Sequence, residues 1–322
     1  MFLQACKNNQ KGVVQTFLKR GGIDVNKRDE SGNTPLIYAC IKNSRDIVKL
    51  LLENGADSGL CNIFSRAPLH FAAESGNKEI IALIVDAGAD VNCTDKNGVT
   101  PLMLMAKGGK TDAALAYIKN PNVDISLKDN DNHAAIDYAT ASGLRELVKA
   151  LSSDSEQAHT DAHGNTPLHQ ACWNGQVEVV RVLLEKCPDV EKLNDDGESP
   201  LILAVERCNL VIVELLLASG AKADGATLAG VAPLHMAAKS GEQFIGKALI
   251  NAGANKNAKT ADGQTPLILA AQCGRNDFTA MLIEAGADLN AVDNSRHSAM
   301  HYASEAGFTE IVEQLLMAGA EN

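Results

Sequence analysis

The stretch DAHGNTPLHQACWNGQVEVVRVLLE, Asp161–Glu185, decides how the rest of the chain is read. It opens on the turn signal Asp161-Ala162-His163-Gly164. Thr166-Pro167 then places a helix-capping threonine before a proline at the first helical position, where a missing N–H costs nothing. Gly175 can end this short helix by entering the left-handed region. A second helical pattern follows, with Val177, Val179, Val180, Leu183 and Leu184 supplying a broad apolar face. Two helices this short cannot bury that face alone, so the unit needs neighbours.

The chain supplies them. The position of Pro167 recurs as Pro35, Pro68, Pro101, Ala135, Pro200, Pro233, Pro266 and Ala299, at steps of 32 to 34 residues. TPL recurs at Thr34, Thr100, Thr166 and Thr265, PLH at Pro68, Pro167 and Pro233, and GAD at Gly55, Gly88 and Gly286. These residues resemble the ankyrin repeat over nearly the whole chain. Residues 1–26 read as a shortened first copy, so the resemblance implies an all-α solenoid of about ten helix-turn-helix units joined by β-hairpin or turn loops. Each unit should touch only its neighbours.

The array is least regular in its middle. The repeat around Ala135 replaces TPLH with Ala134-Ala135-Ile136-Asp137 and loses the GAD exit. The expected organisation is therefore residues 1–151 as N-terminal repeats, 152–160 as a degenerate Ser-rich acidic joint, and 161–322 as C-terminal repeats. Ser153 and Ser155 stand among acidic residues and are candidates for phosphorylation. Limited proteolysis is expected to cut first near 152–157.

Hydrophobic residues make up 45% of the 322, enough for a core, but aromatics only 4%, which suits close helices packed through Ala, Leu, Val and Ile. The net charge of −11 argues against a nucleic-acid binder, whose affinity rests on Lys and Arg. Residues 1–151 carry 18 basic against 17 acidic residues and 152–322 carry 11 against 23, so a basic partner is expected at the C-terminal half. Neither a signal sequence nor a membrane span is read, so a cytoplasmic setting is expected, with the nucleus as the alternative. Eight scattered cysteines form no CxxC pair, and Cys6, Cys40 and Cys172 fall at small core positions, reading as reduced, buried thiols.

No motif here carries catalysis: there is no phosphate-cradling loop and no GxSxG elbow, so no enzyme and no cofactor are expected. His70, His169, His235 and His301 hold the fourth position of the TPLH-type motif, where the resemblance implies structural hydrogen bonds rather than metal ligation. His159 and His163, like His297 and His301, are four apart, with His169 close by in sequence, but zinc needs three or four converging ligands and no cysteine completes either set, so no metal is expected. The spacings from Leu18 to Asn26 and from Leu282 to Asn290 are similar to the pattern that asparaginyl hydroxylases modify in ankyrin proteins. Asn26 and Asn290 are therefore candidates for modification, against the plainer reading that they hold a turn.

The resemblance also implies a protein partner bound on a concave face of hairpin tips and exposed first-helix residues. Mapped here, that face offers Ile63, Phe64 and Arg66 around Pro68, and His163, Asn165, Trp173 and Asn174 around Pro167. Around Pro200 it offers Asp195, Asp196, Glu198, Glu206 and Arg207, and around Pro233 Leu228 and Val231. Trp173 is the single tryptophan, and Trp and Arg dominate interface energetics. The chain is thus expected to be a non-catalytic interaction scaffold, or alternatively the targeting module of a larger enzyme, channel or effector.

Overall fold

The computed structural model describes residues 1–152, 160–186 and 189–321. Candidate sites Ser153 and Ser155, with most of the expected joint, lie outside the described residues. The chain divides into two compact units, Met1–Glu156 and Gln157–Asn322.

In the first unit, helices alternate between two layers. One layer holds α1 (Phe2–Lys7), α3 (Pro35–Ile41), α5 (Pro68–Ser75), α7 (Pro101–Lys107) and α9 (Ala135–Ala141). The other holds α2 (Lys11–Arg20), α4 (Arg45–Glu53), α6 (Lys78–Asp86), α8 (Thr111–Tyr117) and α10 (Arg145–Leu151). The second unit repeats the scheme with α11 (Pro167–Trp173), α13 (Pro200–Glu206), α15 (Pro233–Ser240), α17 (Pro266–Gln272) and α19 (Ala299–Ala306). Behind them stand α12 (Val177–Leu184), α14 (Leu210–Ala218), α16 (Gln243–Asn251), α18 (Asn276–Glu284) and α20 (Thr309–Met317). Within each unit every helix packs on its pair-mate, and the odd-numbered helices, like most of the even-numbered ones, pack on the equivalent helix of the next pair. This is the all-α solenoid of helix pairs that the 33-residue period predicts. The connecting tips are turns, with isolated antiparallel bridges at Lys128–Ala134 and Val292–Ser298.

The local chemistry explains the repeated start. Thr34, Thr100, Thr166, Ser199, Thr265 and Ser298 each accept the N–H three residues on, and proline fills the next position in all but the last of these. The fourth position supplies a second cap. His70 Nδ1 accepts from Ala67 N at 3.0 Å, His169 from Thr166 N at 3.1 Å, and His235 from Ala232 N at 3.1 Å. The other ring nitrogen reaches the following repeat, at 3.2 Å from Val99 O, 3.1 Å from Glu198 O and 3.1 Å from Gln264 O respectively. Each buried imidazole thus caps its own helix and fastens the next repeat.

One departure from the motif is made good, and one expectation needs correction. The repeat with Ala134-Ala135-Ile136-Asp137 keeps its cap, because the buried Asp137 carboxylate accepts from Ala134 N at 2.7 Å in place of the histidine. His301 does not share the role of the other three. It is exposed, lies flat on His297 with centroids 3.9 Å apart, and places Nε2 3.7 Å from Glu305. Among the described residues, its ring meets no backbone carbonyl of the kind that holds the other three.

The apolar residues of both layers close the core. Leu69, Ile80 and Ile84 in the first unit, and Phe278 and Leu282 in the second, are fully buried. Cys6, Cys40 and Cys172 are free thiols in that core, and burial pushes the Cys6 thiol up to about 12.

Candidate functional site

The tips of successive repeats are laced together by single backbone bonds. In the first unit Ile63 N donates to Ser31 O, Lys96 N to Phe64 O and Asn130 N to Asn97 O, at 2.9–3.1 Å. In the second, Asp195 N donates to His163 O at 3.0 Å and Asn294 N to Asp262 O at 3.0 Å. An Asp or Asn at the start of most tips folds each turn: Asp161 Oδ1, for instance, accepts from His163 N and Asn165 N. Burial opposes ionisation of this carboxyl, yet the N–H donors of Asn165 and His163 hold Asp161 below the ordinary value. The tips therefore present side chains outward from a fixed backbone row beside the ends of the odd-numbered helices.

In the second unit the sequence-predicted residues split into two groups. Trp173, at the end of α11, is 44% exposed, and the Arg207 guanidinium carbon at the end of α13 lies 4.8 Å from its ring centroid. Asn174, His163, Asp195, Asp196 and Glu206 are exposed around them. Asn165 and Glu198 turn inward. Asn165 accepts from Asn194 Nδ2 at 3.1 Å, and Glu198 Oε2 accepts from the same amide at 3.2 Å. These two act within the scaffold, because the turn asparagine needs both acceptors. Leu228 is 83% exposed and covers Gly197, which sits at φ +75°. Val231 lines a cleft of about 710 Å³ together with Glu206, Lys239, Asp262 and Arg275. Asp262 could have been found by applying the same tip offsets to the repeat at Pro266. Arg275 carries no such signal: it reaches the cleft by crossing one repeat, where its Nε donates to Lys239 O at 3.0 Å.

In the first unit Ile63 and Phe64 are 51% and 56% exposed at one tip, with the Lys96 ammonium 6.0 Å above the Phe64 ring. Arg66 is engaged internally, stacked 4.3 Å from the Phe71 ring and ion-paired to Glu74 at 2.6 Å. Lys7 over Tyr38 and Lys107 over Tyr138 repeat the cation-on-aromatic theme at 5.4 and 5.6 Å. The same phenols brace their tips, Tyr38 donating to Asp29 and Tyr138 to Asp129, both at 2.5 Å. No sequence motif singled out this tyrosine–aspartate brace, which recurs as Tyr302 to Asp293 at 2.6 Å.

Asn26 and Asn290 each tie their loop to the next segment. Asn26 Oδ1 accepts from Asp57 N at 2.9 Å while its Nδ2 donates to Gly55 O at 3.3 Å, and Asn290 Oδ1 accepts from Glu321 N at 2.9 Å. Asp129, Asp131 and His133 bring three ligand atoms within 4.8 Å of one another. Asp129 is already committed there, accepting from Asp131 N, His133 N and the Tyr138 hydroxyl. Among the described residues, no helix is long and apolar enough to cross a membrane.

Stacked helix pairs with protruding tips and a solvent-facing row of side chains define a repeat-built binding module. A model of three ankyrin repeats matches residues 2–95, 69–161, 187–260 and 234–322, and a single-repeat model matches 163–195; the chain belongs to the ankyrin-repeat family. Human transient receptor potential cation channel subfamily A member 1 is 28% identical over 179 residues, 53% of this chain and 16% of that protein. Human inversin is 29% identical over 215 residues, 64% of this chain and 20% of its own length. Bovine SMC5-SMC6 complex localization factor protein 1 is 33% identical over 110 residues, 32% of this chain and 10% of that protein. The chain thus spans a fifth or less of each. Ankyrin repeats are non-catalytic protein-interaction modules, and this chain carries them throughout.

Proposed function

We propose that this chain is an interaction scaffold that binds a protein partner across its tips and odd-numbered helix ends, with Trp173 and Arg207 as the anchor. The observation that carries this reading is the solvent-facing indole, 44% exposed beneath a guanidinium instead of folded into the core. An aromatic ring and an arginine held in place lose little rotamer freedom on binding, which is why such residues dominate interfaces. The carboxylates of Asp195, Asp196 and Glu206 and the excess of 23 acidic over 11 basic residues in 152–322 favour a basic partner segment. The same excess disfavours nucleic acid. Leu228 and Val231 extend the contact surface of the second unit, Ile63 and Phe64 offer a contact surface on the first, Asn26 and Asn290 are candidates for hydroxylation, and the setting is cytoplasmic. No enzymatic role is assigned.

A second reading is favoured by the relatives: the repeats act as the targeting module of a larger protein, since each relative devotes only part of its length to the matching segment. The two readings share one binding face. The test is an affinity pull-down with the whole chain against Trp173→Ala, with circular dichroism to verify folding. Loss of retained partners in the variant supports the anchor; an unchanged set of partners rejects it.

A further inference from the structure

The even-numbered helices keep a register of their own. Their second residue is acidic in Asp46, Glu79, Asp112, Glu146, Glu178, Asp277 and Glu310. A carboxylate there is favoured by the positive end of the helix dipole. In the first unit it also meets the first residue of the preceding even-numbered helix: Lys11 pairs with Asp46 at 2.5 Å, Arg45 with Glu79 at 2.6 Å, and Lys78 with Asp112 at 3.5 Å. The result is a polar edge running from repeat to repeat.

Two adjacent repeats of the second unit break this rule. The second residues of α14 and α16 are Val211 and Phe244, which are 43% and 67% exposed. The first residues behind them are Val177 and Leu210, both half-buried. The polar edge resumes immediately afterwards, where Gln243 donates to Asp277 O at 3.3 Å and Asn276 bonds Glu310. Helix α14 carries one charged residue, Glu214, among nine. A helix apolar on all sides is ordinarily covered on all sides. Here the chain leaves Val211 and Phe244 uncovered and gives up two favourable dipole interactions to place them there.

We propose that this edge is a docking site, separate from the tips, for an amphipathic helix of a basic partner protein. Stacked helix layers lie roughly 8–10 Å apart. Two turns of an α-helix advance about 10.5 Å and return a side chain to the same face. A helix lying along the stack can therefore set apolar residues seven apart onto Val211 and Phe244. At the same register Glu178, which pairs with Arg181 at 3.5 Å on its own helix, and Asp277 bracket the apolar pair, and the Asp277 carboxylate makes no ion pair among the described residues. Cationic residues one further heptad out on each side complement those carboxylates. Charge also speaks against the other occupants: a second copy would bring together two acidic units, and the flanking carboxylates repel an anionic lipid surface.

The test uses the whole chain and a labelled, alanine-rich helical peptide bearing leucines seven residues apart with lysines beyond them. The variant Val211→Glu/Phe244→Glu restores the residue type that seven other repeats hold at this position, so the fold is retained. The expected result is fluorescence-anisotropy binding that weakens about ten- to hundredfold in the variant, as loss of a buried aromatic contact implies. It should weaken with salt and be unchanged by Trp173→Ala, which separates it from the tip-face reading. Equal binding by wild type and variant, no binding to wild type, or equal binding of a peptide with glutamates in place of lysines overturns the proposal. So does wild-type dimerisation in sedimentation that the variant abolishes, which assigns the edge to a second copy. Variant-sensitive flotation with phosphatidylcholine vesicles assigns it to lipid and overturns the proposal equally.

Discussion

The Arg207 guanidinium carbon lies 4.8 Å from the centre of the Trp173 indole, joining the ends of α11 and α13 across one repeat step. Cation and ring are both solvent-facing, so the stack stiffens the surface more than it stabilises the fold. Such a pair contributes about 0.5–1 kcal/mol at an exposed site.

Because Trp173 is the single tryptophan, its fluorescence isolates this site. Iodide should quench the emission readily in the free protein. Arg207→Ala should change the quenching constant while lowering the unfolding free energy from urea titration by no more than about 0.5–1 kcal/mol. Blue-shifted emission resistant to quencher would place the indole in the core and remove the anchor.

The buried imidazoles predict a pH dependence. Burial, the largest influence, holds His70, His169 and His235 below the ordinary value of 6.5, even though backbone hydrogen bonds act the other way. As pH falls through about 6.5 the unfolded chain takes up these protons before the folded one. Their contribution is therefore intact above that pH and is lost progressively as pH falls through the lower folded-state values. Urea unfolding should give a lower midpoint at pH 5.5 than at 7.5, and His235→Gln should reduce the difference. A flat profile would count against the neutral, bridging histidine. His169→Ala should cost about 1–3 kcal/mol, since it leaves buried donors and acceptors unpaired, whereas His301→Ala, at an exposed site, should change stability little.

Gly246 lies inside α16, where alanine would ordinarily stabilise a helix by about 0.5–1 kcal/mol. A Cβ at this position would sit 2.6 Å from the Phe278 ring and 2.7 Å from the Met281 methyl. Phe278 is fully buried and cannot swing away. Overpacking costs about 1–3 kcal/mol, so Gly246→Ala should lower the melting temperature. An unchanged or raised value would mean that α16 and α18 separate more easily than their packing implies.

Asn26 spends its side chain on the Asp57 N–H and the Gly55 carbonyl. Asn26→Ala should destabilise the chain by about 1 kcal/mol, measured by denaturant midpoint. Hydroxylation of Asn26 or Asn290 predicts an added oxygen in the intact mass from a host that has the hydroxylase; its absence would leave both residues with their bridging role alone.

The sequence made the fold legible because its determinants are short-range. Thr166, Pro167, His169 and Gly175 set a helix start and stop within ten residues, and repetition every 33 residues states the stacking. Register also located the tips, including Ile63, Phe64, Asp195 and Leu228. It could not tell which residues at those places are free. Arg66 and Asp195 look equally available in register, yet Arg66 is bound to Glu74 and Phe71 while Asp195 stays exposed.

What the sequence by itself determined is the repeating unit, its caps and the order in which units stack, since each follows from local propensity and periodicity. Only the tertiary structure decided how side chains about one repeat apart meet. It set Arg207 on Trp173, passed each buried histidine's bond forward to the next repeat, and left Val211 and Phe244 bare between Glu178 and Asp277. The physical reason is that a period fixes which residues become neighbours, whereas rotamer, burial and competing partners fix what those neighbours do.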